Sequence, residues 1–284
     1  MNIEHVISVA NMRESDAQTI ANRVTSAELM HRAAQGIFET AEFTGKVAIV
    51  CGSGNNGGDG YALACILCEH GFTPTLFRLN NKFSKDGLFY YQTARSLGAE
   101  EGNLSEPAPF TGYDIVVDCL LGTGFRGEVS DDVRAAIEAI NACQSFVICA
   151  DINSGVNGDT GIADIAVNSD LTVSIGFLKT GLFLNDAPYY IDKLRNADIG
   201  IQLQREEYKL VDYEMLHMFE GCNSIVLTFE DFYDRFGLKP EDGGIAEKAA
   251  QLSAEQGKPV VIKGDHSAVI ADIKYIYFCA DYII

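Results

Sequence analysis

The chain has 284 residues, 47% hydrophobic and 21% charged, a composition that builds a globular core rather than a disordered coil. Its 40 Asp and Glu against 21 Lys and Arg give a formal net charge of −19. That excludes a basic footprint for nucleic acid and makes anionic lipid a poor partner, so an anionic ligand must be held locally, by backbone amides or a cation.

At ~150 residues per domain the length fits one large α/β domain or two unequal ones. Residues 7–40 place apolar side chains at helical spacing (Ala17, Ile20, Ala21, Val24, then Leu29, Met30, Ala33, Ile37), which predicts two packed helices. Val47 to Cys51 is a continuous apolar run ending at glycines, the pattern of a strand buried on both faces of a parallel sheet. A glycine-rich turn and a helix over 59–70 follow. The unit then recurs: strand 75–79, helix 85–97, strand 115–118, helix 131–142 and strand 146–150, with short strands expected at 171–175 and 189–191. After residue 205 the character changes, with 15 acidic and 7 basic residues over 206–284. Strands at 224–227 and 259–262, helices at 230–236 and 245–256 and a hairpin-like end over 268–276 are expected there, so a domain boundary is placed near residue 205.

The eight cysteines lie mostly in apolar stretches of a chain too long to need disulfide staples, and are read as reduced thiols. Cys65 and Cys68 form a CxxC inside an apolar helical run, the setting of core thiols rather than metal ligands. There is no run of ~18 apolar residues, and Glu4, Arg13, Glu14 and Asp16 stand where a signal peptide would be apolar, so the expected location is the cytoplasm, with no membrane partner.

The stretch that carries chemistry is Cys51-Gly52-Ser53-Gly54-Asn55-Asn56-Gly57-Gly58-Asp59-Gly60, directly after the first buried strand. Gly52, Gly54 and Gly57 spell GxGxxG, the turn that sets a pyrophosphate on a helix N-terminus. Two features oppose a simple dehydrogenase: Asp59 at the expected helix start would repel pyrophosphate, and ~20 residues on stand Phe77, Arg78 and Leu79 rather than an acidic ribose ligand. A second loop, Gly122-Thr123-Gly124-Phe125-Arg126-Gly127-Glu128, follows Val117-Asp118 at the same edge of the sheet and would face the first across the crevice. Phe125 would stack on a ring and Arg126 would meet a phosphate, or both are plain loop side chains. Asp118 and Asp151 both end strands, so their carboxylates either point into one cleft, for proton transfer and cation binding, or cap turns. Asn56, Asp118 and Ser154 together offer hard oxygens with one formal charge, a set suited to K+ rather than to a transition metal.

These motifs resemble a known family. NNGGDG (Asn55 to Gly60), VDxxxGTGFRGE (Val117 to Glu128), DINSGVNGDTG (Asp151 to Gly161), Gly176 to Gly181 and the helical Leu29 to Ala34 are similar to the YjeF N-terminal domain, the NAD(P)H-hydrate epimerases, over about residues 5–204. The resemblance implies a Rossmann-like three-layer αβα sandwich with a mainly parallel sheet, plus a small C-terminal α/β segment. It implies as substrate NADH or NADPH hydrated at C6 of the nicotinamide ring, whose R and S forms are interconverted. Asn55, Asn56, Gly57, Gly58, Asp59, Gly122, Thr123, Gly124, Phe125, Arg126, Gly127, Glu128 and Asp151 would contact it. Asn56, Asp118 and Ser154 would hold one K+ per subunit, Asp151 would act as acid and base, and Lys179 would orient its neighbours. Asn153 departs from the pattern, since the family commonly has proline there, and a softer turn is expected.

Residues 206–284 resemble a piece of the ribokinase-like hydrate dehydratase, in Ile225 to Thr228, Ala246 to Gly257 and Pro259 to Gly264. That family's Pro-His is here Phe229-Glu230, and no GTGD loop follows, so no dehydration is expected. The segment is expected to pack on the first domain or to form a dimer contact, with a homodimer and a separate NAD(P)H-hydrate dehydratase as expected partners. Two rival readings are an inert nucleotide-binding scaffold, which would not need Asn56, Asp118, Asp151 and Ser154 together, and a conventional oxidoreductase, which a hydride-transfer assay separates.

Overall fold

The computed structural model describes residues 4–284. In chain order the elements are β1 (His5–Ile7), α1 (Val9–Asn22), α2 (Ser26–Thr40), β2 (Val47–Cys51), α3 (Asn55–Glu69), β3 (Thr75–Arg78), α4 (Lys85–Leu97), β4 (Glu100–Gly102), β5 (Ile115–Cys119), α5 (Asp131–Asn141), β6 (Phe146–Ala150), β7 (Leu171–Ile175), β8 (Leu178–Lys179) and β9 (Leu194–Ala197). After these come β10 (Tyr208–Leu210), α6 (Met215–Gly221), β11 (Ile225–Thr228), α7 (Phe229–Phe236), α8 (Ile245–Gln256), β12 (Val260–Lys263), β13 (Ser267–Ala271) and β14 (Ile276–Ala280). Among the described residues no helix is long and apolar enough to cross a membrane.

Two seven-stranded sheets organise the molecule. The first, in the order β4-β3-β2-β5-β6-β7-β9, is parallel throughout. Its central strands are mostly apolar and almost wholly buried because both faces are covered. Ile49, Val117, Ile148 and Val173 pack toward α2 and α3, while Ala48, Val50, Val116 and Cys149 pack toward the Ile137 side of α5. This is the expected three-layer α/β sandwich. Local capping agrees with it: the Thr25 hydroxyl accepts from the Glu28 amide to start α2, and Ser84 does the same for Gly87 at α4, which ends on left-handed Gly98.

The second sheet is mixed, in the order β11-β12-β13-β14-β10-β1-β8. It draws strands from both sides of residue 205. β1 and β8 come from the first part of the chain, and β10 joins them antiparallel to β1 with Val6 opposite Tyr208. The C-terminal segment thus packs directly on the rest of the protein. Helix α1 is tied to it as well: Glu207 accepts from the Ser8 amide at 2.6 Å, and Asn11 Nδ2 donates to the Arg205 carbonyl at 2.6 Å. Toward the chain's end the Leu194 amide donates to Tyr282, and Ile284 donates back to Leu194, closing the β9 edge of the parallel sheet.

Two expectations change. The helix expected from residue 59 begins at Asn55, since Gly54 is its N-cap and the asparagines form its first turn. Residues 189–191 are not a strand: Pro188 opens a 3-10 turn over Ala187–Tyr190, and only Ile191 bridges to Ser169. The edge strand is instead β9, whose sequence Leu-Arg-Asn-Ala has little strand character of its own.

Candidate active site

The C-terminal ends of β2, β5, β6 and β7 deliver four loops to one edge of the parallel sheet, where open α/β folds bind ligands. The first two loops touch backbone to backbone. A Cβ on Gly52 would sit 1.9 Å from the Leu120 carbonyl oxygen, and one on Gly57 2.1 Å from that of Gly52, so both positions admit only glycine. The GxGxxG is thereby explained first by packing. The start of α3 carries no side-chain cap, which leaves its N–H groups directed at the cleft.

Asn56, in that first turn, is 7% exposed. Its Nδ2 donates to the Leu121 carbonyl at 2.8 Å, while its Oδ1 is buried with no hydrogen-bond partner among the described residues. Asp118, at the end of β5, is fully buried. Its Oδ1 accepts from the Leu120 amide at 3.0 Å and from Ser154 Oγ at 2.6 Å, and its Oδ2 from the Ser154 amide at 2.9 Å and from Cys149 Sγ at 3.3 Å. Burial pushes the Asp118 carboxyl above its ordinary range, and these donors, the Ser154 hydroxyl foremost, pull it back. Ser154 Oγ also accepts from the Leu121 amide at 2.8 Å. Asp118 and Ser154 are thus bonded directly, and Asn56 meets them at the Leu121 carbonyl, which accepts from both Asn56 Nδ2 and Ser154 Oγ.

Asp151 follows β6 with φ at +69°, a left-handed backbone that costs energy for any residue except glycine. The turn is held by its amide, which donates to Val173 at 2.8 Å. Asp151 Oδ1 accepts from the Ile175 amide at 3.3 Å and from Lys179 Nζ. Lys179 is fully buried on β8 and also donates to Ser174 Oγ at 3.1 Å and the Ile175 carbonyl at 2.8 Å. All three ammonium hydrogens are thus used, one of them on Asp151. The other carboxylate oxygen is directed at Gly122: a Cβ there would lie 3.8 Å from Asp151 Oδ2 and 3.2 Å from Asn56 Cβ. Gly122 thus separates Asp151 from Asn56 by a bare backbone.

Asp59 stands one turn inside α3 rather than at its start. Burial holds its carboxyl well above the carboxylate range, with Asp151 and Asp16 adding to the effect and Lys179 opposing it. A protonated Asp59 would not repel a phosphate. In the second glycine loop, Phe125 is half-buried against the α5 side of the sheet. Arg126 is bound to Asp159 at 2.6 Å and to the carbonyls of Thr123 and Phe125, so it is a rim residue with its charge already paired. Gly124, Gly127 and Glu128 are exposed beside it. The structure thus gathers Asn55 to Asp59, Asp118, Gly122, Asp151, Ser154 and Lys179, and sets 123–128 at the margin.

The turn at Asn153 is not soft. Its Nδ2 donates to Val167, Ser169 and Tyr190 at 2.8–3.0 Å and its Oδ1 accepts from Thr172 Oγ1 at 2.6 Å, so side-chain bonds supply the rigidity proline would give. Sequence reasoning missed α1 altogether as part of the site. Asp16 on that helix is close enough to Lys179 and Asp151 to feel both charges, and burial lifts its carboxyl to about 6. No local motif marks it, because its neighbours are more than a hundred residues away.

Comparison with known proteins identifies the family. Residues 26–181 match the family described as YjeF-related protein N-terminus. The chain is 35% identical to the bifunctional NAD(P)H-hydrate repair enzyme Nnr of Methanothermobacter thermautotrophicus, over 70% of this chain and 41% of that protein. It is 30% identical to the NAD(P)H-hydrate epimerase of Limosilactobacillus fermentum, over 69% of this chain and 97% of that one. With the bifunctional repair enzyme of Leishmania major it shares 28% identity over 92% of this chain and 46% of the relative. The chain thus spans about two-fifths of the length of the bifunctional relatives it matches. The crystal structure of the yeast protein ynu0 has the same fold, with a TM-score of 0.57 at 17% identity, covering 71% of this chain and 96% of that one. On the family match and the nearly full-length match to the epimerase, the chain belongs to the family of YjeF-related protein N-termini.

Proposed function

We propose that the chain is an NAD(P)H-hydrate epimerase, which interconverts the R and S forms of hydrated NADH or NADPH at C6 of the nicotinamide ring. The observation that carries the reading is Asp151. It is held at positive φ, with one oxygen bound to the buried Lys179 and the other left open at Gly122. Strain and a buried ion pair maintained around one free carboxylate oxygen are what a proton-transferring group requires. Epimerisation at C6 needs the hydroxyl to leave as water and water to return on the other face. A carboxylate there can move the proton and offset the positive charge that develops on the ring. The relatives' names support the same substrate.

A monovalent cation fits the neighbouring network. Asn56 Oδ1 is a buried, partnerless hard oxygen beside Asp118 and Ser154, and these three residues would hold K+. Bound there, K+ would supply positive charge against an anionic substrate, a role the chain's net charge leaves to local groups. The test is incubation of the purified chain with pure R-hydrate, followed by chromatographic separation of the two forms. The S-form is expected well above its spontaneous rate; formation at the spontaneous rate would leave an inert nucleotide-binding protein.

A further inference from the structure

We propose that Asp16 is a second catalytic residue of this site, handling the proton at C6 from the α1 side while Asp151 handles it from the strand ends. The inference rests on the epimerase reading. It begins with how α1 lies. Strand β1 pairs with β8, with Ile7 opposite Lys179, so the chain enters α1 beside the buried ammonium. Val9, Met12, Arg13 and Asp16 are three, four and seven residues apart and share one helix face. The first three meet three separate loops of the cleft. Added Cβ atoms would lie 2.8 Å from Val9 Cγ2 at Gly158, 2.9 Å from Met12 Cε at Gly176 and 3.7 Å from Arg13 Nη2 at Gly124. This face therefore roofs the cleft, and Asp16 continues it by one turn.

Asp16 is half-buried and makes no side-chain hydrogen bond among those the described residues form. The charged groups that face it are Asp151 at the end of β6 and Lys179 on β8, with Asp59 of α3 sensing Asp16 in turn. The two carboxylates differ in the way a proton relay needs. Asp151 is committed to Lys179 through one oxygen. Asp16 has no such partner, and its carboxyl, lifted to about 6, retains a proton at pH values where an ordinary aspartate has lost it.

Two groups solve a geometric problem that one does not. Inversion at a single carbon exchanges water between opposite faces, and one fixed carboxylate meets both faces only if the ring turns over. In the forward direction Asp16 gives its proton to the C6 hydroxyl, and the C6–O bond breaks with its electron pair leaving on water. The resulting cation is shared by N1 and C6. A water then bonds to C6 from the other face and its proton passes to Asp151. The reverse sequence runs from the other epimer, and solvent restores both protonation states.

The experiment compares wild type, Asp16→Asn and Asp16→Glu for R-to-S conversion between pH 5 and 9. In wild type, kcat falls as pH rises through about 6, because Asp16 must be protonated to act. Asp16→Asn lowers kcat at least tenfold at pH 6 with KM within twofold and abolishes that limb, whereas Asp16→Glu keeps part of the rate and the limb. An Asp16→Asn protein within twofold of wild type, or with an unchanged limb, overturns the proposal. Should Asp16→Asn fail to fold, a wild-type kcat profile flat between pH 5 and 7 overturns it. A wild-type chain that leaves R-hydrate at its spontaneous rate overturns the epimerase reading and this inference together, while active wild type with an indifferent Asp16→Asn overturns this one alone.

Discussion

The two sheets present similar architecture at their parallel strand ends and opposite chemistry. In the parallel sheet the ends of β2, β5 and β6 carry a fully buried aspartate, a partnerless asparagine oxygen and an aspartate at positive φ, with a fully buried lysine next to them. In the mixed sheet, β11 and β12 also run parallel, and a cavity of about 650 Å3 opens at their ends, lined by Thr228, Glu230 and Lys263 to Ser267. Yet the buried polar side chains among residues 206–284 are Ser253 and Ser267, each donating to a backbone carbonyl. Its charges stay at the surface, as in the pair Lys263–Glu220. A hole is therefore not a site: a cavity opens in one region, while the fully buried ionisable side chains Asp118 and Lys179 lie in the other.

The strongest way to break this comparison is Asp151→Asn, which keeps the shape and removes the proton. It should lower epimerisation by about 10²–10⁴-fold with an unchanged circular dichroism spectrum. Lys179→Met comes next. Removing one partner of a buried pair typically costs about 3–5 kcal/mol, and urea unfolding should register it; a loss below about 1 kcal/mol would show that the pair is wet. Smaller still is the cation effect. At equal ionic strength K+ should raise the melting temperature over Li+ by roughly 3 °C if its concentration is about ten times Kd, and Asn56→Ala should erase the difference. The smallest effect belongs to the other sheet: Glu230→Gln with His266→Ala should leave epimerisation within twofold and stability within about 0.5 kcal/mol. A tenfold loss there would move chemistry into that cavity.

Much of the parallel sheet was legible because its signals are local. Val47 to Cys51 is apolar at every position since both faces are covered, and the glycines at 52 and 57 mark a backbone contact no other residue tolerates. The same locality explains the failures. β1, β8 and β10 have two or three residues each and exist only through partners far away in sequence, so no periodicity announces them. Asp16 reads as one more polar residue of an amphipathic helix until the fold sets it beside Lys179. Asn153 shows the converse, a residue whose replacement for proline suggests looseness and whose four hydrogen bonds remove it.

The anchoring of α1 bears on how the protein is made. Ser8 is fastened by Glu207, 199 positions later, and Asn11 by the carbonyl of Arg205. A ribosome adding about 5–20 residues per second needs about 10–40 s to cover that distance. Until then these two ties are missing, and closing so long a loop is slow. The helix synthesised first is thus fully fastened only once residues 205–207 are in place.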